Sequence, residues 1–211
     1  MKFCVIGIGR FGKQVATTLA ENNADVLAID EQESELVSIQ NIVAQALCAK
    51  IHNKASLEAI GIEEVDVVII CIGENVAGSI LVTALIKKHY PRIRIITRAT
   101  NTIQQEILST IGVDQVVRPE QETAIELADS LSSPFTNLCR IDHESSIALI
   151  NAPDNWIGKS LESISLYQQY EINCVFIKNE SNLVLAHENY VIAEGDKLII
   201  AGKNITITDL M

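Results

Sequence analysis

Residues 1–30 read MKFCVIGIGRFGKQVATTLAENNADVLAID. KFCVIGI is a buried-strand run, rich in Val and Ile and ending in glycine. GKQVATTLAENN sets Val15, Leu19 and neighbouring alanines on one helical face, and ADVLAID is a second strand. At the join of the first strand and the helix, Gly7, Gly9 and Gly12 fit G-x-G-x-x-G, and Asp30 closes the second strand 23 positions after Gly7. The three glycines serve different physical ends. Gly7 permits the tight turn, Gly9 lets the backbone approach a pyrophosphate, and Gly12 lets helix and strand pack closely. The helix N-terminus then offers free N–H groups and partial positive charge to phosphates. A carboxylate at Asp30 accepts hydrogen bonds from ribose hydroxyls. Glu31 and Gln32 supply no arginine for a 2′-phosphate, which disfavours NADP.

The alternation continues outward. EQESELVSIQN (31–41) reads as a helix, IVAQALC (42–48) as a strand, KASLEAIGI (54–62) as a short helix and VDVVIICIG (65–73) as a strand covered on both faces. ENVAGSILVTALIKKHY (74–90) is a helix apolar around most of its circumference, which suits a buried or subunit-interface position. RIRIITRAT (92–100), TIQQEILSTIG (102–112) with Gly112 as cap, VDQVVRP (113–119) and EQETAIELADSLSS (120–133) complete a strand–helix–strand–helix series. Strict alternation demands right-handed crossovers, so the expected fold is α/β, a doubly wound parallel Rossmann-type sheet over 1–133. Ser132, Ser133 and Pro134 break the last helix, and 138–211 reads as a small α+β domain. Its pieces are LCRIDHESSIALINAP and NCVFIKN as strands, WIGKSLESI as a short helix, and ESNLVLAHENYVIAEGDKLIIAG as hairpin-like strands closed by Glu194-Gly195-Asp196. Trp156 reads as an anchor of this domain's core. About 70 residues bury a marginal core, so docking or oligomerisation is expected.

Composition narrows the function classes. The chain has 211 residues, is 48% apolar and 4% aromatic, and carries a formal charge of −11 from 16 Lys+Arg against 27 Asp+Glu. Few rings and net negative charge exclude a general nucleic-acid surface and disfavour anionic lipid. Cys4, Cys48, Cys71, Cys139 and Cys174 are odd in number, sit in apolar runs and form no CxxC, so a reducing cytoplasmic setting is expected. No signal-peptide pattern precedes the first strand, and the longest apolar stretch is too short to cross a bilayer. His52, His89, His143 and His187 are scattered, and Cys48/His52 and Cys139/His143 each lack the second pair a zinc site needs. A nucleotide cradle without an evident catalytic apparatus favours sensing over chemistry.

These residues carry a family likeness. FCVIGIGRFGKQVATTLAENNADVLAID, with VDVVIICIGENVAGSILVTALIKK, RIITRATN, ILSTIGVDQVVRPE and VIAEGDKLIIAG, resembles the RCK (KTN) module. End to end, the chain resembles the stand-alone cytosolic subunits of bacterial Ktr and Trk potassium uptake systems. The resemblance implies a non-enzymatic regulatory subunit that forms homodimers and an octameric ring under a KtrB/TrkH-like potassium-translocating partner. It implies ATP, ADP or NAD(H) in the first domain, with Gly7, Gly9 and Gly12 at the phosphates and Asp30 at the ribose. Arg10 is implied to reach the terminal phosphates from its own or a neighbouring subunit, and Arg98 to line the same pocket. Phe11, Lys50 and Gly73 complete the expected binding set. Lys50 stands where relatives often carry an acid or amide. Glu120 is implied to help hold a divalent cation beside the nucleotide. Plainer readings stand beside these: Arg10 as a solvated arginine, Arg98 paired with a local carboxylate, and Glu120 matched to its helix dipole after Pro119. The alternatives are an NAD-dependent oxidoreductase and a nucleotide sensor serving a cation/proton antiporter.

Overall fold

Strands of Val and Ile without polar alternation need cover on both faces, and the structure, a computed structural model that describes residues 1–132, 136–142, 144–180 and 182–210, supplies it. Ser133, Pro134 and His143, which figure in the readings above, lie outside the described residues. The chain divides into two compact units, Met1–Glu120 and Gln121–Met211.

The first unit runs β1 (Lys2–Ile6), α1 (Arg10–Glu21), β2 (Asp25–Asp30), α2 (Glu33–Leu36), β3 (Gln45–Cys48), α3 (Lys54–Ala59), β4 (Val67–Ile70), α4 (Val76–His89), β5 (Arg94–Arg98), α5 (Thr102–Ile111) and β6 (Gln115–Val117). Its six strands are all parallel, in the order β3-β2-β1-β4-β5-β6. The expected doubly wound sheet is therefore what the chain forms. One face of the sheet packs Ile6, Leu27, Ile70 and Ile95 against Leu57 of α3 and Ile86 of α4. The other packs Val5, Val26 and Ile69 against Ala16 of α1 and Ile39. The order reverses between β1 and β4, so the loops after these two strands diverge and leave a crevice at their C-terminal ends.

Local chemistry sets the boundaries. Gly112 ends α5 in the left-handed region at φ 84°, as its position predicts. Asn53 opens α3 with a reciprocal capping box to Ser56. The helix expected over 31–41 forms a single turn, α2, and continues as hydrogen-bonded turns such as Ile39 N–H to Leu36 O at 3.0 Å. Val37 and Ser38 are weak helix formers, and burial of Leu36, Ile39 and Val43 fixes the segment without a regular helix.

A helix α6 (Pro119–Ser132) starts where the chain divides. Sequence reading assigned it to the first domain, whereas the division places all but its first two residues in the second unit. That unit continues with β7 (Thr136–Arg140), β8 (Ser145–Asn151), α7 (Leu161–Ile164), α8 (Leu166–Tyr170), β9 (Asn173–Lys178), β10 (Leu183–Leu185), β11 (Lys197–Lys203) and α9 (Asn204–Asp209). Its antiparallel sheet has the order β10-β9-β11-β8-β7, an α+β arrangement as expected. One expectation is corrected. β10 and β11 are not partners across the Glu194-Gly195-Asp196 turn: β10 pairs with β9, and β11 lies between β9 and β8. The buried Asp196 carboxylate sets that turn by accepting from Ala193 N–H at 2.9 Å and the Tyr190 hydroxyl at 3.0 Å, which aims β11 into the sheet centre.

Trp156 is buried with Ile150, Ile177, Leu198, Ile200 and Ile207, with its ring 6.0 Å from that of Tyr170. As the only tryptophan it reports on this unit. Ile200→Ala, which empties a fully buried position, is expected to cost about 2–5 kcal/mol and to lower the urea midpoint followed by Trp156 emission. An unchanged midpoint would remove Ile200 from the core.

Candidate functional site

The crevice at the strand-order reversal is a cleft of ≈ 950 Å³. Its walls come from the ends of β1, β2, β3, β4 and β5 and from the start of α6. Gly7, Gly9, Arg10, Phe11, Asp30, Lys50, Gly73, Arg98 and Glu120 all line it. Gly12 does not; it lies buried where α1 meets the sheet.

The three glycines of the first loop differ in what a side chain would meet. Gly7 sits at φ 91°, and a Cβ there would lie 2.9 Å from Ile72 N. A Cβ on Gly12 would fall 1.9 Å from the Gly7 carbonyl oxygen, so helix and loop touch through backbone alone. Gly9 is the opposite case: a Cβ would meet nothing within 4 Å and would project into open space. Gly9 is also the N-cap of α1 and has no side-chain cap, and the first intrahelical bond is Lys13 N–H to Gly9 O at 2.9 Å. The N–H groups of the first turn therefore remain available at the positive end of a three-turn helix. This is a cradle for an anion.

Asp30 stitches the loop to the second turn. Its Oδ2 accepts from Ile8 N–H at 2.6 Å and its Oδ1 from Gln32 N–H at 2.9 Å. A carboxylate offers about four acceptor sites, so each oxygen retains capacity for a hydroxyl. Next to it, Lys50 Nζ pairs with Glu31 Oε2 at 3.0 Å. The β2–β3 register, in which Asp30 faces Cys48, brings these two together. With side chains 72% and 50% exposed, the pair adds little stability, but it gives Lys50 a counter-charge at this end of the cleft.

At the other end lies Arg98, at the close of β5. Its Nη2 donates to Glu120 Oε1, and its guanidinium carbon stands 5.7 Å from the centroid of the Phe11 ring. A Cβ at residue 73 would be 2.7 Å from Nη1, so a side chain there would displace the end of Arg98. Nε is buried without a hydrogen-bond partner. Arg10 makes no ion pair among the described residues. Cys71 borders the cleft floor, and burial pushes its thiol up to about 12, against an opposing pull from the Arg98 charge.

The plainer reading of Arg98, pairing with a local carboxylate, is the arrangement found, and the carboxylate is Glu120. Glu120 is engaged by a guanidinium, and among the described residues no three of His, Cys, Asp and Glu gather into a metal-holding group. Sequence reading also missed the far wall. Asn75 caps α4 by accepting from Gly78 N–H at 2.8 Å and borders the cleft with Glu74 and Gly78. An Asn three residues before Gly at the start of an apolar helix is the signal that marks it.

The comparisons with known proteins agree with this architecture. The TrkA-N domain family matches residues 3–119 and the TrkA-C domain family residues 146–210. The chain is 31% identical over 211 residues to the Ktr system potassium uptake protein C of Bacillus subtilis (strain 168), covering 99% of this chain and 94% of that one. It is 30% identical over 205 residues to the Ktr system potassium uptake protein A of the same organism, covering 95% and 91%. Among solved structures, the GsuK RCK domain superposes with a TM-score of 0.56 at 22% identity over 99% of this chain and 45% of its own, so this chain spans less than half of that one. GsuK bound to ADP superposes with a TM-score of 0.53 at 26% identity over 62% of this chain and 34% of its own. The chain belongs to the TrkA-N/TrkA-C family, as the motif reading expects.

Two outcomes follow from the loop and the thiols. Gly12→Ala drives a methyl into a carbonyl and is expected to cost about 1–3 kcal/mol, seen as a lowered Tm, whereas Gly9→Ala leaves Tm unchanged. Equal losses would show that Gly9 is packed rather than open. Burial raises Cys4 and Cys71 to about 12 and Cys174 to about 11, while Cys48 and Cys139 are exposed. A disulfide reagent at about pH 8 is therefore expected to titrate Cys48 and Cys139 quickly and Cys4 and Cys71 only after denaturation; rapid labelling of all five would contradict the burial.

Proposed function

We propose that this chain is a nucleotide-sensing regulatory subunit of a membrane potassium uptake system, binding ATP, ADP or NAD(H) in the cleft of its first unit. The observation that carries the reading is the open position beside Gly9 at an uncapped helix N-terminus, in the same cleft as the Asp30 carboxylate at the strand-order reversal. Diphosphate on the first-turn N–H groups and ribose on Asp30 is the occupancy this geometry favours. The ribose end carries Asp30 and Glu31 with Lys50 already paired, which disfavours a 2′-phosphate and hence NADP. The potassium-transport setting rests on the relatives named Ktr system potassium uptake proteins C and A.

The remaining parts of the reading follow. The chain is not an enzyme in this proposal: occupancy is converted into shape, since a ligand shifts an equilibrium by its differential affinity for two states. It works in the cytoplasm, against the inner face of a potassium-translocating membrane subunit, and assembles as homodimers into an octameric ring. Apolar side chains left exposed on α4 and α5, Leu81 at 45% and Ile103 at 70%, support an assembly surface. No described helix is long and apolar enough to cross a membrane. Arg10, at the first position of α1 and exposed, discriminates ATP from ADP by reaching the additional phosphate.

Saturating ADP at about 100 times its Kd is expected to stabilise the protein by about 2.7 kcal/mol, and the absence of any shift with ATP, ADP and NAD would sink the reading. Charge-assisted bonds of about 1.5–3 kcal/mol make Arg10→Ala weaken ATP about ten-fold or more while changing ADP little. Titration calorimetry checks this, and equal losses for both would remove Arg10 from the discriminating role.

A further inference from the structure

Beside Asp30 the cleft sets a single lysine among acids. Asp30, Glu31 and Glu35 reach this end from β2 and α2, and Lys50 reaches it from the residues after β3. Strand pairing places the lysine. Asp30 lies opposite Cys48, and the ladder runs one bond further, from Ala49 N–H to Asp30 O at 2.9 Å. Lys50 therefore leaves the sheet level with Glu31, and its Nζ stands 3.0 Å from Glu31 Oε2. Among the described residues neither side chain has another ion-pair partner. Both are exposed, so the pair can open without unpacking anything.

We infer that Glu31 is the residue that decides whether the ligand's ribose can carry a 2′-phosphate: by holding Lys50 it denies that phosphate a cation, and without it Lys50 becomes the cation a 2′-phosphoryl group needs. This rests on the proposed nucleotide reading and deepens it. In that reading Asp30 bonds the ribose hydroxyls, which brings the sugar to the end of the cleft where Glu31 and Lys50 stand. A 2′-phosphate there adds roughly two negative charges among three carboxylates, and like charges at short range repel. Lys50 can offset them, since an ammonium on a flexible stem re-aims its three donors freely. Glu31 and the phosphate then compete for one ammonium. Asp30 is not free to act as this control, because its two oxygens hold the Ile8 and Gln32 N–H groups and its charge shapes both turns. The Glu31 carboxylate holds Lys50 instead of the backbone, so its charge can change while the turns stay as they are.

Titration calorimetry on the full chain tests it with two ligand pairs, NAD against NADP and 5′-AMP against adenosine 2′,5′-bisphosphate, each pair differing only in that phosphate; weak members are read by displacing bound ADP. The wild-type chain is expected to bind the 2′-phosphorylated member more weakly. Glu31→Gln is expected to tighten that member about five-fold or more, the upper scale of an exposed ion pair, and to change the other by less than about two-fold. Lys50→Gln alone is expected to give no gain, and adding it to Glu31→Gln is expected to abolish the gain, because the effect passes through that ammonium. Equal wild-type affinity within each pair overturns the inference. So do an equal gain for both members in Glu31→Gln, no gain for the 2′-phosphorylated one, or a gain that survives the loss of Lys50. Failure of the wild-type chain to bind ADP, ATP or NAD overturns both readings; wild-type binding without the selective gain overturns this one alone.

Discussion

The carboxylate of Asp30 is the constraint to which the rest of the cleft is referred. It holds the N–H of Ile8 in the β1–α1 turn and the N–H of Gln32 after β2, so two turns that leave the sheet in different directions share one anchor. The anchor works only because Gly7 turns back at positive φ and Gly12 lets α1 lie directly on the loop. Removing Cβ atoms at two places and adding one carboxylate at a third aims the first turn of α1 at the cleft. The helix end needs no side-chain cap for this, and a cap would compete with the ligand for the same N–H groups.

A chain of net charge −11 has positive potential only where it creates it locally. It does so with partial charges from the α1 terminus and with three side chains, Arg10, Lys50 and Arg98, all bordering one cleft. Two of these carry a counter-charge from the chain itself, Glu31 on Lys50 and Glu120 on Arg98. The pairs are placed at opposite ends of the site, one beside Asp30 and one beside the glycine loop. Each end is therefore nearly neutral when empty, which limits the electrostatic cost of holding cations close together.

The fold was legible in the sequence wherever an element was long or closed by strong punctuation. The parallel strands from β1 to β6, the cap at Gly112 and the ligand loop all followed from runs of Val and Ile, from spacing and from glycine. What escaped was short or depended on pairing. α8 and α9 have five and six residues, too few for a helical period to register. β10 and β11 looked like a hairpin because they flank one turn, yet the partner of each is chosen by which apolar face it buries, and that is a property of the whole sheet. The same limit held in the cleft. Gly7, Gly9, Asp30 and Arg98 could be nominated from one dimension, but that Lys50 meets Glu31 and Arg98 meets Glu120 depends on strand register across the sheet.

That several of the cleft's polar groups already have partners bears on what kind of site it is. Asp30 is held by two backbone N–H groups, Asn75 by Gly78, Lys50 by Glu31 and Arg98 by Glu120. A ligand entering such a site makes its contacts largely by exchange, so part of its binding free energy is spent on the bonds it replaces. Affinity suffers, but every replaced partner becomes a group whose environment differs between the empty and occupied states. Only such differences can bias a conformational equilibrium, because a ligand that binds two shapes equally shifts neither. Glu120 is the informative case, since it stands at the second position of α6, the helix that carries the chain out of the first unit. Arg10 and the first-turn N–H groups of α1 stay open beside these pairs, so one cleft combines donors that wait with cations that the chain's own acids already hold.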